Sequence, residues 1–127
     1  MRAILSPDDL RRGELIPPGW YPVEIINYEE KEAGTDQSTN SIFYFKIFDG
    51  SCKGTELKRL FNEKALGFGK ALWATLGLPK TPDGGYELTT ELFEQVGKSK
   101  AKLQVYVKRG ESNKGNPFND VADFRPL

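Results

Sequence analysis

Residues 41–62, SIFYFKIFDGSCKGTELKRLFN, hold two alternating apolar segments joined by a turn. In the first, Phe43, Phe45 and Ile47 fall on one face and Ile42, Tyr44, Lys46 and Phe48 on the other. That period of two is what a pleated strand imposes. Asp49-Gly50 marks a turn, extended by Ser51-Cys52-Lys53-Gly54. The second segment sets Leu57, Arg59 and Phe61 opposite Glu56, Lys58 and Leu60. Strands are therefore expected at 41–48 and 55–61. Arg59 is the misfit, a cation in the apolar phase. Either its guanidinium reaches out at the end of a barrel, or a bulge shifts the register there.

Working outward, residues 20–28 form a first strand, with Tyr21, Val23 and Ile25 alternating with Pro22, Glu24 and Ile26. Pro22 has no N–H, which places that strand at an edge or marks its start. A polar link, EEKEAGTDQSTN, joins it to 41–48. After residue 61 the period changes. Asn62 caps a helix expected over 63–76, with Ala65, Phe68, Leu72 and Leu76 on one stripe. Gly67 and Gly69 weaken it by about 1 kcal/mol each relative to alanine. Gly77 and Pro79 end it. A short helix at 90–96 stops at Gly97, and strands follow at 101–109 and 118–124. Residues 1–19, rich in proline and glycine, form an arm in which Ser6 can cap a helical turn carrying Asp8 and Asp9. The order β-β-β-α-β-β predicts a mainly β fold, a five-stranded OB-like barrel over 20–127 with a helix between strands three and four. An SH3-like barrel and an open α+β sheet share that order. Phe43, Phe45, Phe61, Leu103, Val105 and Val107 are assigned to the core, as is Trp73 on the helix.

The absences narrow the chemistry. A chain of 127 residues is enough for one domain. It has no histidine, which excludes every His-based triad, general base and metal site. Its one cysteine, Cys52, forms neither an internal disulfide nor, alone, a zinc site. No cofactor, no metal centre and no catalytic residue is expected. Gly97-Lys98-Ser99 resembles the end of a phosphate-binding loop, but Leu92 stands where the leading glycine should be and a strand follows. Asp8, Glu29 and Lys31 are too scattered to converge on one divalent ion. No apolar run approaches a membrane span, and acids and arginines interrupt the N-terminus where a signal peptide would be apolar. A cytoplasmic address and no membrane partner are expected.

Formal net charge is zero, which argues against indiscriminate duplex binding. The charge is nevertheless uneven. Residues 97–109 carry Lys98, Lys100, Lys102, Lys108 and Arg109 and no acid, whereas 24–36 are acidic. A single-strand binder needs flat rings for bases and cations for phosphates on one sheet face. The outward phase supplies Tyr44, Lys46 and Phe48 on strand two, Lys58 on strand three, and Lys102, Tyr106 and Lys108 on strand four. Trp20 and Lys114 extend the set. Taken singly, such residues are ordinary strand formers and edge guards. Taken together they make a face for single-stranded DNA.

The ordered set PPGWYPVEI (17–25), EEKEAG (29–34), SIFYFKIFDGSCKGTELKRLFN (41–62), KALGFGKALWATLGL (64–78) and NDVADFRP (119–126) resembles a family of small phage-encoded single-stranded DNA-binding proteins, long uncharacterised. The resemblance spans residues 5–126. It implies an OB fold, nonspecific single-strand binding in replication or recombination, and a host-cytoplasm location. It carries no catalytic motif. The acidic C-terminal tail by which bacterial single-strand binders recruit enzymes has no counterpart in the closing DFRPL. Replication or recombination proteins remain possible partners, and a homo-oligomer is expected because linked patches gain avidity. The alternative function is a protein-interaction module of a phage or replisome assembly.

Overall fold

The computed structural model describes residues 1–5, Leu10, 12–34 and 36–127. The expected Ser6-capped turn, with Asp8 and Asp9, lies outside the described residues. Five strands, β1 (Gly19–Glu32), β2 (Thr39–Ile47), β3 (Glu56–Asn62), β4 (Lys102–Glu111) and β5 (Pro117–Arg125), form one antiparallel sheet in the order β3-β2-β1-β4-β5. Two helices, α1 (Lys70–Thr75) and α2 (Thr90–Lys98), follow a 3-10 helix at Glu63–Gly69. Among the described residues, no helix is long and apolar enough to cross a membrane.

The sheet is open, not the closed barrel expected from the element order. No ladder joins β3 to β5. Two backbone groups on the facing edges, the Glu56 N–H and the Val121 carbonyl, are engaged elsewhere. The Glu56 N–H donates to the Arg12 carbonyl at 2.9 Å, and the two side chains form an ion pair at 2.5 Å. On the opposite edge, the Asn119 amide accepts from the Ile16 N–H at 3.0 Å and donates to the Glu14 carbonyl at 2.8 Å. The inner part of the expected arm therefore lies in the seam, and Ile16 joins the core. Arg59 also reaches across. Its Nη1 is 3.5 Å from the Val121 carbonyl and 4.0 Å from Asp120, and its guanidinium lies over the Phe61 ring. The β2–β3 register runs unbroken through Arg59, so of the two readings of this residue the bulge is excluded.

β1 reaches four residues further than the expected 20–28, through a third of the polar link. Its first part pairs with β4 and its second with β2. The two ladders overlap at Val23 and Glu24, and a bulge at Ile26 interrupts the β2 ladder just past the end of the β4 ladder, where the Ile25 N–H donates to the Ala101 carbonyl at 2.9 Å. The extra residue inverts the phase. Ile26 is left 37% exposed, and Tyr28 turns inward to meet Phe43 at 4.9 Å between ring centres.

The helix expected over 63–76 is broken. Asn62 caps its start as anticipated, accepting from the Lys64 N–H at 3.0 Å. Ala65 then leaves helical geometry, at φ −134° and ψ 29°. Trp73 accounts for the break. Its indole folds back over the turn, donates to the Leu66 carbonyl at 2.9 Å, and would lie 2.3 Å from a Cβ on Gly69. Trp73 also stacks on Phe93 at 5.0 Å and adjoins Phe43 and Phe61, which confirms it as a core residue. Gly97 does not stop α2 but lies inside it; the chain leaves the helix at Ser99 and Lys100, the latter at φ 54°. The reason for glycine there is contact. A Cβ at Gly97 would sit 2.5 Å from the Tyr28 Cβ and 2.9 Å from its backbone nitrogen.

Alanine at position 97 gains about 1 kcal/mol of helix propensity. Overpacking against β1 costs about 1–3 kcal/mol. Gly97→Ala is therefore expected to lower stability in urea unfolding. A stability equal to or above that of the parent chain would show that α2 does not need this close approach.

Candidate nucleic-acid interface

The face of the sheet turned away from the helices displays the residues that the core rejects. Cross-strand register orders them along β1. Trp20 pairs with Tyr106, Pro22 with Gln104, and Glu24 with both Lys102 and Lys46. Past the bulge, Asn27 pairs with Tyr44, which in turn faces Lys58 across β2 and β3. Phe48 lies just past the end of β2, its N–H donating to the Pro22 carbonyl at 3.2 Å. Seven of the predicted residues thus follow one strip, from Tyr106 and Trp20, past Phe48, Lys102 and Lys46, to Tyr44 and Lys58. Lys108 extends it beyond Tyr106 on β4. From Trp20 to Asn27 the strip runs about 23 Å at the usual strand rise.

One end is built as a stack. The Trp20 and Tyr106 rings meet edge-to-face at 5.5 Å. The Arg125 guanidinium lies 4.0 Å above the Trp20 ring, held there by its Nε–H donating to Gln104 Oε1 at 2.5 Å. The Lys102 ammonium lies 4.9 Å above the Phe48 ring. Such cation–ring pairs present a flat apolar surface and a positive charge at the same place.

The far end differs from expectation. Tyr44 does not offer a free ring edge, because its hydroxyl donates to Glu29. That hydrogen bond, with partial burial, pushes the Tyr44 phenol up to about 12, and the same bond holds the Glu29 carboxyl below its usual value. Lys108 lies 3.9 Å from Asp120, and Glu24 stands between Lys46 and Lys102. The lysines are interleaved with acids and do not form an unbroken basic rim. Between the edges of β3 and β5 runs a groove of about 580 Å³, lined by Tyr44, Lys58, Leu60 and Phe118 among others.

Arg125 and Gln104 are the members of the stack that sequence reading missed. Arg125 reaches Gln104 only because β4 and β5 pair through a second bulge, between Tyr106 and Val107. No signal in the sequence announces that bulge. Among the described residues, no group of His, Cys, Asp and Glu side chains is placed to hold a metal ion.

Tyr44→Phe removes the donor that stabilises the Glu29 carboxylate. The Glu29 pKa is then expected to rise toward its ordinary value, read by carbon-detected NMR titration of its side chain. An unchanged titration would assign the low value to another cause, such as Lys31.

No curated protein matches the chain. The family described as a protein of unknown function, DUF669, matches it over residues 8–127, and the chain belongs to that family.

Proposed function

We propose that this protein binds single-stranded DNA without sequence preference along the outer face of its sheet, by binding alone and without catalysis. The observation that carries this reading is the Arg125–Trp20–Tyr106 stack, continuous with the Lys102–Phe48 pair. Rings of this kind accept any base, since every base has a flat face, and each contributes about 1–3 kcal/mol. The strand order, with β3 and β5 drawn together by Arg59, supports reading the sheet as an OB-like barrel left ajar at one seam. The phage family that the sequence resembles points the same way, toward a role beside replication or recombination proteins.

The charge pattern gives the reading a quantitative consequence. Lys46, Lys58 and Lys102 have no carboxylate within 4.0 Å among the described residues, whereas Lys108 is partly compensated by Asp120. If each of these three lysines neutralises one phosphate, log K falls against log salt with a slope of about −2. Stacking supplies the remainder. Fluorescence anisotropy of a labelled dT oligonucleotide, titrated across salt beside a matched duplex, tests this. Tight single-strand binding with that shallow slope is expected. Trp20→Ala and Tyr106→Ala should each weaken it by about fivefold or more. No single-strand binding even at low salt would overturn the proposal.

A second reading, a protein-interaction module, is favoured by one observation. Leu60 and Phe118, 47% and 44% exposed, flank the groove between the unpaired edges of β3 and β5. An extended peptide adding a strand there would bond to both.

A further inference from the structure

The groove between β3 and β5 adjoins the strip of rings and lysines, because Tyr44 and Lys58 belong to both. Its β5 wall adds a ring that the strip does not contain. Phe118 is exposed and lines the groove. It also lies across Gly110, its partner on β4. A Cβ at Gly110 would lie 2.5 Å from the Phe118 Cζ, 2.8 Å from Cε2 and 2.9 Å from Cε1. Only glycine leaves room for so close an approach. The ring is therefore seated against the β4 backbone without being buried.

The charges of the groove favour an anion. Both of its acids already face cations, Glu56 at 2.5 Å from Arg12, and Asp120 at 3.9 Å from Lys108 and 4.0 Å from Arg59. Lys58 has no carboxylate within 4.0 Å among the described residues. Arg59 is loosely held. Its Nη1 meets the Val121 carbonyl at 3.5 Å, and its buried Nε has no hydrogen-bond partner among the described residues. The volume, about 580 Å³, falls within the range of about 300–1,000 Å³ that small ligands occupy. Phe118 and Leu60 offer an apolar bed for a base, and Lys58 offers a charge for a phosphate.

We propose that one nucleotide of the bound strand leaves the strip and seats in the β3–β5 groove, its base on the Phe118 ring and its phosphate against Lys58. Such a seat rests on single-strand binding along the outer face, and it adds Phe118, set in place by Gly110, as a stacking residue. A peptide is the other occupant the groove could take. It would use the unpaired edges and the apolar side chains, and it would not need a flat ring. Stacking requires a π-face. Apolar contact is served as well by leucine.

Anisotropy titrations of a labelled dT oligonucleotide of about 16 nucleotides, a length that fills a site of this class, test the proposal. Phe118→Tyr keeps the flat ring and should bind like the parent protein. Phe118→Leu should bind about fivefold or more weakly, with circular dichroism and the thermal midpoint showing that it remains folded. A second measurement uses the parent protein alone. Irradiated with an oligonucleotide carrying iodouracil, it should form an adduct at Phe118, located by mass spectrometry. Equal binding by Phe118→Leu, or adducts confined to Trp20 and Tyr106, would overturn the role of the groove while leaving single-strand binding on the sheet face intact. The groove would then pass to a peptide. A parent protein that binds no single strand would overturn both.

Discussion

β1 must bond along both of its edges, to β4 with its first part and to β2 with its second. A straight strand with one phase would have to keep a single face inward along fourteen residues. The bulge at Ile26 removes that restriction. Before it, Val23 and Ile25 point into the core; after it, Tyr28 does. The inward Tyr28 is then the surface on which α2 settles, and α2 can come close only where Gly97 has no side chain. Strand, bulge, tyrosine and glycine thus form one chain of dependence.

The aromatic residues divide between two tasks. Phe43 lies at the centre of the buried set, within about 5–6 Å of the rings of Tyr28, Phe61, Trp73 and Phe93. Burying one such ring contributes on the order of 1.5–3 kcal/mol. The set lies between the sheet and the helices and holds the two layers together. Trp73 does this with its one polar atom satisfied by Leu66, as a buried indole requires. On the other face Trp20 and Phe48 have cations above them, and Tyr106 meets the Trp20 ring, in place of core rings. The alternation of the strands separates the two groups, since neighbouring residues must face opposite ways.

The outer face mixes charges of both signs, as the chain does as a whole. Glu24, Glu29 and Asp120 stand among Lys46, Lys102, Lys58 and Lys108, so long-range attraction for a polyanion is weak. A ligand held there relies on contact surface more than on field. At the seam between β3 and β5, the Glu56 N–H and the Val121 carbonyl go to Arg12 and Arg59 in place of a closing ladder, and the Asn119 side chain ties residues 14–16 into the gap. This leaves a groove where a closed ladder would have left none.

Local pattern is enough to reveal most of the strands. In 41–48 and 55–61 the alternation names Phe43, Phe45, Ile47, Leu57 and Phe61 as buried, because a period of two admits only two phases and the apolar set picks one; Ile42, in the outward phase, is buried as well. The outward assignments of Tyr44, Lys46, Lys58, Lys102 and Tyr106 follow from the same rule. Asn62 as a cap and Trp73 as core were equally legible, since both are short-range matters of chemistry. The features that no local pattern shows are those that need two distant segments at once. The length of β1 depends on partners at 39–47 and 102–107, and its bulge on serving both. Gly69 and Gly97 look like helix breakers until Trp73 and Tyr28 arrive beside them. Arg125 joins Trp20 only through the β4–β5 register. The identity of each face was thus written in the order of the residues. Which side chains meet on that face, and whether the sheet closes, was settled by packing and hydrogen-bond competition between segments up to a hundred residues apart.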